Sequence, residues 1–227
     1  MDQSLLTAAV NRALRVAAKL PVSVVELDGF VQLEDFSALA GSEHLCHLTA
    51  KHCGIRSVAD LVSCPMMSVL NVSNNQHLQS LTGLSGAPRL EQIYARSCNL
   101  QNLNDLGSCP HLSKLDVTSN SSLKDFAGLA GAPCLEKLIA SCCGLRSVSG
   151  LNMCPWLSVL DVSYNRHLHD LRGLSGAPCL HLLSVSGCEL NDLHGLNICS
   201  RLSKLNVSSN KTLKDLIGLA GAASSKH

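Results

Sequence analysis

The stretch Leu112-x-x-Leu115-x-Val117-x-x-Asn120-x-x-Leu123-x-x-Phe126-x-x-Leu129 decides the fold, because it recurs along the whole chain. A sister stretch precedes it: Leu90-x-x-Ile93-x-Ala95-x-x-Cys98-x-Leu100-x-x-Leu103-x-x-Leu106. The two open alike, but Asn120 is three steps from the next Leu and Cys98 only two. Together they make a unit of 45 residues, split into 22 and 23. Leu45, Leu90, Leu135 and Leu180 keep that spacing, as do Cys53, Cys98, Cys143 and Cys188, and Asn75, Asn120, Asn165 and Asn210. A fixed period of this size denotes stacked structural units, each covering its neighbours' apolar faces. Such a stack offers a long surface rather than a deep pocket.

Within one repeat, Leu115-x-Val117 predicts a short strand with alternate residues turned inward. Strands of successive repeats then lie side by side and parallel, and the rest of each repeat supplies the crossover that parallel neighbours require. Leu123, Phe126 and Leu129 follow at three-residue steps. That spacing suits 3₁₀ turns and is too short for an outer α-helix. Closers such as Gly131-Ala132-Pro133 and Cys109-Pro110 bend the chain back toward the next strand. At the ninth position the chain turns away from water. Asn can donate and accept there at once, whereas Cys brings a weak S–H donor in a small apolar package.

The pattern L-x-x-L-x-L-x-x-N/C-x-L resembles the leucine-rich repeat signature. Repeats open at Val22, Leu45, Met67, Leu90, Leu112, Leu135, Leu157, Leu180 and Leu202, so the resemblance covers the chain from about Val22 to Leu219. The short unit is similar to the class found in the leucine-rich regulatory subunit of type-1 protein phosphatase and in cytoskeletal and flagellar proteins. The alternation of Cys and Asn halves also resembles leucine-rich proteins of kinetoplastid parasites. The resemblance implies an α/β solenoid. Its form is a leucine-rich repeat horseshoe with a parallel inner sheet and a 3₁₀ or extended convex side. It further implies protein binding on the concave face, either as a scaffold in a longer cytoskeletal or signalling protein or as a regulatory subunit docked on an enzyme such as a phosphatase.

Composition fits a linear core filled by Leu and small residues. Only six aromatics occur among 227 residues: Phe30, Phe36, Phe126, Tyr94, Tyr164 and Trp156. The net charge of +1 gives no general attraction to nucleic acid or to a membrane surface, and no apolar run approaches a membrane span. Twelve Cys in a secreted chain would suggest disulfides. Here Cys53, Cys98, Cys143 and Cys188 recur every second repeat, roughly 10 Å apart by strand spacing, beyond the about 7 Å that a disulfide tolerates. The column Cys64, Cys109, Cys154 and Cys199 has the same spacing, and Cys46, Cys134, Cys142 and Cys179 form no C-x-x-C pair. The expected setting is reduced cytoplasm, with an association to the cytoskeleton. A secreted receptor ectodomain would need a signal sequence and Cys-rich caps. The sequons at Asn71, Asn120 and Asn206 read as products of repeat chemistry, with Asn120 buried.

Three segments follow: residues 1–21, 22–219 and 220–227. Residues 2–20 predict one amphipathic helix, with Leu5, Leu6, Ala9, Val10, Ala13, Leu14, Ala17 and Leu20 on its apolar face. Asp2 or Ser4 would cap its start and Pro21 end it; it is expected to lid the first repeat. At the other end, Ala223 replaces the closing Pro and Ser225 the next Leu, which would leave Leu213, Leu216 and Leu219 uncovered. The expectation is a longer protein, or a partner or second copy on that end.

Strand phase places Val24, His47, Val69, Gln92, Lys114, Lys137, Val159, Leu182 and Lys204 on the outward face of the inner wall. Glu26, Thr49, Asn71, Tyr94, Asp116, Ile139, Asp161, Ser184 and Asn206 form the second outward column. Tyr and Arg are common interface anchors, so the candidate partner-binding patch is Tyr94, Arg96, Lys114, Asp116, Lys137, Ile139, Asp161 and Tyr164. The bland alternative is a solvated wall with weak charge pairs such as Lys114 and Asp116. Catalysis, a cofactor and a metal are not expected. The densest ligand group is His44, Cys46, His47, His52 and Cys53. It lacks close paired ligands, and His47 faces out while Cys53 faces in, which also argues against nucleophilic work.

Overall fold

The computed structural model describes residues 3–219. After one helix, α1 (Gln3–Ala17), the chain lays down nine three-residue strands at the positions that the outward columns bracket. They are β1 (Val24–Glu26), β2 (His47–Thr49), β3 (Val69–Asn71), β4 (Gln92–Tyr94), β5 (Lys114–Asp116), β6 (Lys137–Ile139), β7 (Val159–Asp161), β8 (Leu182–Ser184) and β9 (Lys204–Asn206). They form one parallel sheet in sequence order, each paired only with its sequence neighbours. This is the leucine-rich repeat solenoid that the resemblance implies. The strand of the fifth repeat runs Lys114–Asp116, one residue earlier than the expected Leu115–Val117. Val117 still extends the ladder, its N–H reaching the carbonyl of Ile139 at 2.8 Å.

The central residue of each interior strand points into the core. Leu48, Leu70, Ile93, Leu115, Leu138, Leu160 and Leu183 are buried and form one continuous cluster with the crossover residues. The three-residue steps hold on the convex side. Short 3₁₀ turns occur at Ser37–Leu39, Ala59–Ser63, Leu106–Ser108, Ala127–Leu129, Leu151–Met153 and Arg172–Leu174; the remaining crossovers are plain turns. A further column organises them. Asp35, Ser57, Ser80, Asn102, Asp125, Ser147, Asp170, Asp192 and Asp215 each accept, on a side-chain oxygen, the N–H two residues ahead. Short polar side chains make this local turn because they can fold back onto their own backbone.

The Asn and Cys coils interlock. Asn120 donates to the carbonyls of Ala95 (2.9 Å) and Val117 (2.7 Å) and accepts the N–H of Leu100 (2.9 Å). Cys143, one coil on, donates its S–H back to Val117 at 3.2 Å. The same scheme recurs at Asn75 with Cys98 and at Asn165 with Cys188. Asn75, Asn120 and Asn165 are fully buried, so the sequon at Asn120 is shielded inside the ladder.

The residue just before each ladder position lies in the left-handed region: His52, Asn74, Ser97, Ser119, Cys142, Tyr164, Gly187 and Ser209 have φ between 51° and 67°. Only Asn, His and Gly among these favour that conformation. All but Ser209 donate their N–H to a carbonyl of the coil that follows.

At the N-terminal end α1 packs against Ser37–Leu39. Its buried stripe is narrower than the predicted face. Leu14 is buried and Val10 packs on the core, while Ala9, Ala13, Val16 and Leu20 stay exposed. Turn bonds from Ala18, Lys19 and Leu20 lead to Pro21 in place of the last expected helical turn. Of the expected caps, Asp2 lies outside the described residues, as do Ala223, Ser225 and the rest of 220–227. In the ninth coil Leu202, Leu205 and Val207 are only half-buried and Leu216 is exposed. These residues have a neighbouring coil on one side among the described residues.

Candidate functional site on the inner wall

The register aligns the candidate residues in two columns. Gln92, Lys114, Lys137 and Val159 follow one another across β4 to β7, and Tyr94, Asp116, Ile139 and Asp161 do the same. Two contacts draw the first half of the patch together. The Lys114 ammonium donates to the Tyr94 hydroxyl at 2.7 Å and stands 4.8 Å from that ring's centroid. The Tyr94 hydroxyl in turn donates to Gln92 Oε1 at 2.9 Å. One step toward the strand ends, Arg96 forks onto Asp116, with Nε at 2.8 Å and Nη2 at 2.6 Å from the same Oδ2.

Asp116 differs from the surface role expected of it. It is 2% exposed, while the Arg96 side chain is 56% exposed. Its other oxygen, Oδ1, accepts the N–H of Thr118 at 3.1 Å. Asp116 therefore positions Arg96 and closes a turn, and a partner would meet the guanidinium and not the carboxylate. The hydrogen bond that Arg96 donates to Asp116 also raises the Arg96 pKa above its ordinary value, against a smaller opposing effect of burial. The expected pairing of Lys114 with Asp116 gives way to Arg96 with Asp116, because two side-chain atoms of Arg96 reach over from the preceding coil.

The second half of the patch is looser. Lys137 is exposed, and Ile139 and Asp161 are half-exposed. Asp161 accepts the N–H of Ser163 at 3.0 Å, the same turn-closing role that Asp116, Asn71 and Asn206 play in their own coils. Tyr164 lies beyond its strand, at φ 60°, with an exposed ring. A Cβ placed on Gly187 would come within 2.7 Å of that ring, so the tyrosine lies across the next coil's turn. Three coils separate Tyr164 from Tyr94, and the structure does not bring them together. Sequence phase could place these residues on one wall; it carried no signal for the Arg96–Asp116 fork, which depends on side chains from different coils.

Elsewhere, Cys53 donates to the carbonyl of Leu27 at 2.9 Å and His52 lies 3.2 Å from Asn74, so these two members of the His/Cys group take part in separate local contacts. Among the described residues no three metal-ligating side chains converge, and no helix is long and apolar enough to cross a membrane. A small apolar groove lies between α1 and the segment Gly29–Leu33, walled by Val10, Phe30, Val31 and Leu33, away from the inner wall. All twelve Cys are free thiols.

No protein-family model and no curated protein matches the chain. Solved structures do. The leucine-rich repeat domain of the type III effector XopL matches 94% of this chain and 78% of its own, at 21% identity and a TM-score of 0.79. An internalin, InlF, from Listeria monocytogenes matches 94% of this chain and 65% of its own, at 17% identity and a TM-score of 0.77. A leucine-rich repeat protein from Leptospira interrogans matches 93% and 60%, at 18% identity and a TM-score of 0.66. The chain thus spans under two thirds of the length of two of these relatives. What they share with it is the architecture.

Proposed function

We propose that this protein is a non-enzymatic recognition module that binds another protein on its inner wall, within a cytoskeletal or signalling assembly. The observation that carries this reading is Arg96, a guanidinium fixed by a buried carboxylate and left open to the concave side. An Arg held in one geometry loses little freedom on binding and suits a planar acidic or amide group on a partner. Tyr94, Lys114, Lys137 and Ile139 extend that surface along the wall, and Asp161 and Tyr164 bound it at the far end. A reduced, cytoplasmic setting is supported by the ladder, which uses the S–H hydrogens of Cys53, Cys98, Cys143 and Cys188 as donors.

The test is affinity purification from the native cell, comparing wild type with Tyr94→Ala/Arg96→Glu. Both positions are exposed enough to change without opening the core. Selective loss of structural proteins supports the scaffold. Selective loss of an enzyme subunit, such as a phosphatase catalytic subunit, supports the regulatory alternative that the repeat class suggests. An unchanged set of bound proteins overturns the inner-wall site.

A further inference from the structure

One edge of the stack departs from its own repeat. Ser63 and Ser108 are equivalent residues 45 positions apart. Each hydroxyl donates to a carbonyl three residues back, Asp60 or Asp105, at 2.7 Å. Each also accepts a glycine N–H from the preceding coil, Gly41 at 2.8 Å or Gly86 at 3.1 Å. At the same register the next two units carry Met153, 56% exposed, and Ile198, 37% exposed. Neither side chain can make those bonds. The repeat has exchanged a bridging hydroxyl for apolar surface in water, twice, and only in this half of the molecule.

Three residues after Met153 stands Trp156, 60% exposed, and three after Ile198 stands Arg201. Trp156 lies in a shallow groove with Glu136, Ser158, Cys179, His181 and Arg201. The charges along this groove are ordered. Glu136 belongs to the coil before Trp156, His181 to the coil after it, and Arg201 to the coil after that. Arg201 is held along the row by Cys179, whose sulfur its Nη1 meets at 3.8 Å.

We propose that this edge is the contact between two copies of the chain, related by a two-fold axis midway between the coils of Trp156 and His181. A two-fold axis reverses one row against the other. Glu136 of each copy then faces Arg201 of the second, and each indole faces Cys179 and His181 of the other. Both rows have the same coil spacing, about 4.8 Å, so the charges stay in step away from the axis. A solvent-exposed indole rimmed by an Arg matches the composition of interface centres. The net charge of +1 sets little repulsion between two copies. The occupant is a second copy rather than an unrelated protein because the row supplies its own complement when reversed.

Trp156 is the only tryptophan of the chain, so its emission reports on this edge alone. Sedimentation equilibrium of the full chain over a concentration series should show a dimer. Trp156 emission should move to shorter wavelength, and acrylamide access fall, along the same curve. Trp156→Ala and Arg201→Glu should each weaken association by roughly tenfold or more. Glu136→Arg combined with Arg201→Glu should restore it, a rescue that misfolding cannot mimic. Arg96→Glu, on the inner wall, should leave the dimer unchanged. A monomer at every concentration overturns the proposal. So does a dimer indifferent to Trp156→Ala and Arg201→Glu, or a charge exchange that fails to rescue. A monomer whose Trp156 emission shifts only with another protein overturns the second copy as occupant.

Discussion

The side-chain oxygen of Asn120 accepts the backbone N–H of Leu100, twenty residues earlier and one coil away, at 2.9 Å. That bond explains the alternation of the two repeat types. An Asn coil reaches back into the turn of the preceding Cys coil with both its donor and its acceptor. The next Cys coil returns only a thiol, to a carbonyl that the Asn already holds. The shorter Cys turn leaves one N–H facing the Asn, and the longer Asn turn does not face its successor in that way.

Asn120→Ala should therefore cost more than its size suggests. The Leu100 N–H and the Ala95 carbonyl would lose the Asn as a partner inside the stack, at about 1–3 kcal/mol each. Cys98→Ala removes only a weak donor and should cost about 1 kcal/mol. Equilibrium urea unfolding of the two variants checks this. Equal losses would sink the account of the ladder.

Ser119 sits at φ 62° with no side-chain reason to be there. A left-handed non-glycine residue costs about 1–2 kcal/mol, partly offset by the greater freedom of glycine in the unfolded chain. Ser119→Gly should raise stability by roughly 0.5–1 kcal/mol, read as a higher urea midpoint at unchanged slope. Gly187→Ala should do the reverse and more, since φ 67° disfavours Ala and the new Cβ meets the ring of Tyr164.

Burial pushes the thiols of Cys98, Cys143, Cys154 and Cys199 up from 9.0 to about 11. The folded state thus favours the protonated form more than the unfolded chain does. The stabilisation is complete below pH 9 and is lost as pH rises through about 11. Wild type should lose urea resistance between those values more steeply than a Cys98→Ala/Cys143→Ala variant, whose lower starting stability should be flatter with pH. Parallel curves would show that thiol ionisation is not the coupled event.

Asp116→Ala should release Arg96. The Thr118 N–H would lose its acceptor and the guanidinium its fork, at about 1.5–3 kcal/mol for the charged hydrogen bonds. Partner affinity should fall as far in Asp116→Ala as in Arg96→Ala, although Asp116 offers almost no surface to a partner. Affinity kept in Asp116→Ala would mean that the fork does not prepare the wall for binding.

The two outward columns were legible because a strand alternates its side chains whatever surrounds it, and the third and fifth positions coincide with the ends of all nine strands. The helix at the start was legible, but it ends at Ala17 where the spacing ran on to Leu20, and its face was less legible. Leu20 follows helical spacing and is nonetheless exposed, since it lies in the turn after Ala17. The candidate site was legible as a set of positions and not as a set of contacts. Asp116 and Ile139 are adjacent and equivalent in register, yet only the carboxylate has an Arg on the preceding coil within reach.

What the sequence determined by itself is everything that repeats: the period, the parallel order, the apolar interior and the Asn and Cys rungs. Each of these follows from covalent spacing together with the need of one coil to cover the next. The tertiary structure decided what each non-repeating side chain does. It buried Asp116 beneath Arg96, held Ser119 and Tyr164 at left-handed angles, and left Met153, Trp156 and Ile198 in water. Those outcomes depend on atoms from neighbouring coils, some twenty residues away along the chain, and spacing within one repeat carries no record of them.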